Sequence, residues 1–150
     1  MLKKILTNRG PDSCGIREID NLVFGGFVLW QQGLEICNQP VESDTNLLLM
    51  NGDIYNVPTS DSNTMSDTKW LFEQLSSSSS ERELINLFKT IEGPFSFIFY
   101  DKIKKTLFFG RDSLGRNSLI IEDSDAHLRL LSASCKSMSF SLKISSKKVK

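Results

Sequence analysis

The sequence predicts an α+β protein in which helices pack on antiparallel sheet. Three observations carry this expectation: apolar strand-like runs near the start, two helical stripes in the middle, and an aromatic hairpin block followed by further strands. Strands that come in runs, with few helical crossovers between them, favour antiparallel pairing.

In chain order, Leu2, Ile5 and Leu6 recur at helical spacing until Gly10-Pro11, which reads as the end of a helix. Residues 21–30, NLVFGGFVLW, are apolar at both alternating positions, as in a strand covered on both faces. Gly25 and Gly26 in its middle mark either a bulge or a close backbone approach. Residues 45–56, TNLLLMNGDIYN, read as a second apolar strand ending in a turn at Asn51-Gly52.

Residues 66–75, SDTKWLFEQL, open a helix with an acidic first turn and an apolar face through Thr68, Leu71, Phe72 and Leu75. The serine run 76–80 reads as a flexible loop, and Ser80 with Glu83 has the spacing of a capping box. Leu84, Leu87, Phe88 and Ile91 then form a second helical stripe, stopped by Gly93-Pro94. Residues 95–112, FSFIFYDKIKKTLFFGRD, have the pattern of a hairpin with a lysine turn, and SLIIE (118–122) and HLRLLSAS (127–134) read as two further strands. Residues 136–150 carry five lysines and no acid and are expected to form a disordered basic tail, leaving 1–135 as the folded domain.

Composition excludes several function classes. Lys plus Arg (18) balances Asp plus Glu (18), so no net field marks a nucleic-acid or anionic-membrane partner. No apolar run approaches the roughly 20 residues needed to span a bilayer. The start, MLKKILTNRGPD, lacks the apolar core of a signal peptide. Three widely spaced cysteines without a CxxC pair suggest reduced thiols in a cytoplasmic protein, neither a disulfide framework nor a zinc site. No glycine-rich run leads into a lysine and a helix, so no phosphate loop and no bound cofactor are expected.

Four segments occur together in order: RGPD (9–12), LLLMNGDIYN (47–56), SDT (66–68) and EGPFSFIFYDKIKKTLFFGRDSLGRNSLI (92–120). As a set they resemble the glutaminase domain of asparagine synthetases, the class-II glutamine amidotransferases, over about residues 1–135. The resemblance implies an N-terminal nucleophile hydrolase-like four-layer αββα sandwich of antiparallel sheets, here expected to lack its first strand and the stability that a complete sheet edge confers. It also implies glutamine as substrate, hydrolysed to supply ammonia for asparagine biosynthesis by a synthetase domain that this chain is not expected to contain. In that family the nucleophile is an N-terminal cysteine whose own free amine serves as base.

Carried over residue by residue, the resemblance makes Asn51 and Gly52 the oxyanion-binding pair and Asp67 the acid that holds the substrate ammonium. From the residues alone, Asn51-Gly52 also suits an ordinary turn, and Asp67 suits a helix N-terminus. Cys14-Gly15-Ile16 copies the letters around the family's nucleophile, but it follows RGPD and its nitrogen is a peptide amide, so Cys14 reads as an ordinary thiol. The family's carboxylate-binding arginine has no counterpart in FVLWQQG (27–33); Gln32 offers one neutral hydrogen bond in its place. Losing a charge-assisted pair costs about 1.5–3 kcal/mol of binding. Arg9 to Asp12 match a loop bordering the site, Arg111, Asp112, Gly115 and Arg116 a structural turn, and His127, the single histidine, lies outside every motif. The expectation is therefore a related chain that does not itself hydrolyse glutamine, with a non-catalytic protein-interaction module of the same fold as the alternative. No motif names a protein partner.

Overall fold

The computed structural model describes residues 7–31, 34–58, 65–123, 128–132 and 145–148. Its elements are β1 (Ser13–Ile19), β2 (Leu22–Val28), β3 (Val41–Glu42), β4 (Asn46–Gly52), α1 (Asp67–Ser77), α2 (Glu81–Thr90), β5 (Phe95–Asp101), β6 (Thr106–Arg111), β7 (Ile120–Asp123), β8 (Leu128–Leu131) and β9 (Ser145–Lys148). The strands form one five-stranded sheet, β3-β4-β5-β6-β9, and two hairpins, β1-β2 and β7-β8. Every strand pair in these sheets is antiparallel, as the α+β expectation required.

Alternation along the central strands creates two apolar faces. Leu48, Met50, Phe95, Phe97, Phe99 and Phe108 meet Trp70, Leu71 and Leu75 of α1 and Leu84 and Phe88 of α2. Their neighbours Leu47, Ile98, Tyr100, Leu107 and Phe109 face the other way, onto Phe24 of β2, with Leu128 and Leu130 of β8 packed alongside. Because side chains alternate with period two, one apolar run serves both faces, which is why β4 to β6 read as almost unbroken hydrophobic sequence. Phe88 stacks on Phe97 with ring centroids 4.0 Å apart and on Phe95 at 5.9 Å. Truncating such a ring to alanine costs about 3–5 kcal/mol.

The helices begin where the sequence places them. Ser66 caps α1 by accepting from the Lys69 amide at 3.3 Å, and Ser80 caps α2 by accepting from the Glu83 amide at 3.3 Å. The capping box is shifted by one residue, since the Glu83 carboxylate takes the amide of Ser79 (2.7 Å). Ser76 and Ser77 belong to α1, so the loop between the helices is shorter than the serine run suggested.

Other expectations are corrected. Residues 13–19, given no element in the sequence reading beyond Cys14 as an ordinary thiol, form β1; none of their side chains is fully buried, so no apolar alternation announces the strand. At Gly25-Gly26 the register is continuous, with Gly26 opposite Gly15, so there is no bulge. A Cβ on Gly26 would lie 2.6 Å from the backbone carbon of Gln39, so close approach is the operative reason for glycine there. Asn51-Gly52 is not a hairpin turn: both residues remain in β4, opposite Ser96 and Phe95, and the chain leaves the sheet afterwards. Within the segment expected to be a disordered tail, residues 145–148 form β9 and occupy the open edge of β6, where unpaired backbone groups favour a further strand. Among the described residues no helix is long and apolar enough to cross a membrane. The helical pattern at Leu2, Ile5 and Leu6, and His127, lie outside the described residues.

Candidate functional site

The end of β4 opens into a cavity of about 420 Å³ whose lining includes Asn51, Gly52 and Asp67, with Arg9 and residues of β2 contributing other walls. The three predicted site residues therefore converge, although 15 positions separate Gly52 from Asp67 in the chain (67 − 52). Gln32 lies outside the described residues. Cys14 is exposed on β1 opposite Phe27 and is not part of the lining.

Asp67 is the first residue of α1 and only 6% exposed. Its Oδ2 accepts from the amide of Ile54 (2.9 Å), and its Oδ1 accepts from the amide of Thr68 (2.6 Å) and the Thr68 hydroxyl (3.3 Å). Burial pushes its pKa up, the two amide hydrogen bonds oppose that, and the nearby Asp53 charge adds to the rise. The helix-start and cavity-wall readings of Asp67 are thus compatible. One carboxylate satisfies local amides and still borders the void.

Gly52 has a geometric reason to be glycine. Its φ is +125°, and an added Cβ would lie 2.0 Å from the Pro94 carbonyl oxygen and 2.1 Å from Asn117 Nδ2. Asn117 Nδ2 donates to the carbonyls of Asn51 (3.0 Å) and Pro94 (2.9 Å), tying the two strand ends together. Asn117 is itself held by the preceding turn. Buried Asp112 accepts from the amides of Phe95 (3.3 Å), Leu114 (3.1 Å), Arg116 (3.2 Å) and Asn117 (3.4 Å). The GRDSLGR turn, read as structural, is a bracket under the cavity floor.

Several wall residues escaped the sequence reading. The Gln39 side chain pairs with both backbone groups of Met50, accepting from its amide (2.8 Å) and donating to its carbonyl (2.9 Å), so it substitutes for a neighbouring strand. Cys37 lines the cavity close to Ser66 and Asp67; burial raises its thiol pKa, so the thiol is protonated at neutral pH. Ser132, after β8, accepts from Asn51 Nδ2 at 3.0 Å. None of these has a local motif. Only the docking of separate segments brings them to β4.

Comparison with known proteins identifies the family. Residues 1–149 match the model of the family described as glutamine amidotransferase domain. The chain is 47% identical over 138 residues to an asparagine synthetase domain-containing protein of Drosophila melanogaster, covering 89% of this chain and 24% of that protein. It is 39% identical over 120 residues to asparagine synthetase domain-containing protein 1 of Bos taurus and 38% over 120 residues to that of Homo sapiens, in each case 77% of this chain and 18% of the relative. The chain thus spans roughly a fifth to a quarter of the length of these relatives. A match over nearly the whole sequence and identities of this size mean that the chain belongs to the glutamine amidotransferase domain family found in asparagine synthetase domain-containing proteins.

Proposed function

We propose that the cavity at the end of β4 is a glutamine site and that the chain serves the glutamine-dependent amide chemistry, asparagine biosynthesis, implied by its relatives' names, in the cytoplasm. The observation that carries this reading is the convergence of Asp67, Asn51 and Gly52 on one cavity. In this arrangement Asp67 takes the substrate ammonium, and the Asn51 amide with the Gly52 N–H faces the γ-carbonyl. Arg9, the one cationic side chain among the described lining residues, takes the α-carboxylate. The helix pair, the central sheet and the hairpins on its far face correspond on this reading to three layers of an αββα N-terminal nucleophile hydrolase sandwich.

On the same reading the chain by itself binds glutamine without hydrolysing it. Acyl transfer needs a thiolate beside a base, aimed at the carbonyl. Among the described cysteines, Cys14 lies outside the cavity, and Cys37, inside it, carries a thiol whose pKa burial raises.

Titration calorimetry with glutamine, followed by an ammonia-release assay, tests both statements. Binding that weakens about ten- to a hundredfold in Asp67→Asn, with no ammonia released, is the expected result. Ammonia release would overturn the inactivity. Absence of binding would overturn the glutamine site and leave a non-catalytic interaction module of the same fold.

A further inference from the structure

We infer that Ser132 is a positioning residue that locks the side-chain amide of Asn51 as a hydrogen-bond donor toward the cavity. The orientation follows from the hydrogen-bond network, and its consequence for ligand binding rests on the glutamine reading above.

The Ser132 hydroxyl has one proton to give and two lone pairs that accept. Three groups lie within bonding distance of its oxygen: the Ser118 carbonyl at 2.7 Å, the Ser96 hydroxyl at 2.5 Å and the Asn51 amide at 3.0 Å. A carbonyl can only accept, so the Ser132 proton goes to Ser118. Ser96 must then point its own proton at Ser132, whose oxygen at 2.5 Å is a far closer acceptor than the Asn51 carbonyl at 3.5 Å, and Asn51 must present an N–H. Were the Asn51 amide flipped, its oxygen would face the remaining Ser132 lone pair with no proton between them. The two ends of an asparagine amide are otherwise nearly equal in shape, so this one hydroxyl decides which faces where.

A primary amide carries two N–H groups. Ser132 takes one, and the other is left for the cavity that Asn51 lines. An oxyanion or carbonyl ligand needs a donor at that place, whereas a flipped amide would offer it a repelling oxygen. The backbone of Asn51 is held as well, because Asn117 Nδ2 binds its carbonyl at 3.0 Å and its partner in the sheet, Ser96, is fully buried. The lock joins β4, β5 and the residue after β8, so it forms only when the β7-β8 hairpin docks on the central sheet.

Nuclear magnetic resonance of the ¹⁵N-labelled chain tests the orientation without any ligand. In the wild type, one Asn51 side-chain amide proton is expected to exchange slowly with solvent and to show a cross-peak to the Ser132 Cβ protons. Ser132→Ala should lose that protection, and Ser132→Thr, which keeps the hydroxyl, should restore it. Free exchange of both Asn51 amide protons in the wild type, or unchanged protection in Ser132→Ala, would overturn the proposal. If Ser132→Ala does not fold, the wild-type spectrum alone decides the orientation.

Titration then separates positioning from general damage. Glutamine should bind Ser132→Ala about three- to tenfold more weakly. Norvaline, which has the same α-amino-acid end and no γ-amide, should bind both proteins equally. Equal loss for both ligands would mean a merely structural role and would overturn the proposal. If the wild type binds neither ligand, the glutamine reading falls while the exchange measurement still decides the orientation.

Discussion

Two buried aspartates sit on either side of the β4 end, and they are built differently. Asp112 is 4% exposed and Asp67 6%. Four backbone amides converge on Asp112 from β5 and from the turn after Asp112, the Arg116 guanidinium lies 4.0 Å away, and the side chain is not part of the cavity lining at the β4 end. Asp67 takes two amides and one hydroxyl, and it forms part of a cavity wall. A carboxylate on which several amides converge holds a loop in shape. One that keeps accepting capacity beside a void, with a pKa raised by burial, is what the proposed ammonium contact calls for.

That contrast is sharpest when each side chain is removed. Asp112→Ala should lower the unfolding free energy by about 3–4 kcal/mol, because four buried amides lose their acceptor together. Urea unfolding checks this through a reduced midpoint, and a shift below about 1 kcal/mol would mean that the turn is not a bracket. Gly52→Ala, at the joint between the two regions, should cost about 2–3 kcal/mol through a strained φ and the clash with Pro94 and Asn117. A neutral outcome there would mean that the strand ends can part freely.

Asp67→Asn should cost less stability, about 1 kcal/mol, since asparagine retains one acceptor for the amides. Its signature lies in pH dependence. Burial raises the Asp67 pKa above the ordinary 3.8, so the folded state binds that proton more tightly than the unfolded state. The group therefore favours the fold most at low pH, and this contribution falls as pH rises from about 3.8 through the raised folded value. Parallel unfolding curves across that window should show this decline in the wild type and its absence in Asp67→Asn. The smallest effect belongs to the exposed decoy: Cys14→Ser should change stability by no more than about 0.5 kcal/mol and leave glutamine binding untouched. A measurable loss of binding would return Cys14 to the site.

Legibility in the sequence followed how local each signal was. The acidic first turn at Asp67 announced α1, and Ser80 with Glu83 announced α2, because each signal lies within a few residues of an apolar stripe. The aromatic runs announced β5 and β6 because both faces of those strands are buried. β1 stayed hidden because it is mostly exposed, and β9 because its partner β6 lies far back in the chain. The cavity-lining Asn51, Gly52 and Asp67 were singled out through a family pattern; Asn117 lay within a family segment without a role of its own, and Cys37, Gln39 and Ser132 had no pattern to betray them.

Neighbours along the chain were enough to dictate the elements with strong periodicity, the two-faced character of the central strands and the family to which they point. Folding was needed to establish that Gly26 yields to the Gln39 backbone, that Gly52 remains in β4 against Pro94 and Asn117, and that Asn51 meets Ser132 from 81 positions away. Those outcomes depend on how closely separate segments approach, and a hydrogen bond or a clash is settled within a few tenths of an ångström that no local pattern encodes.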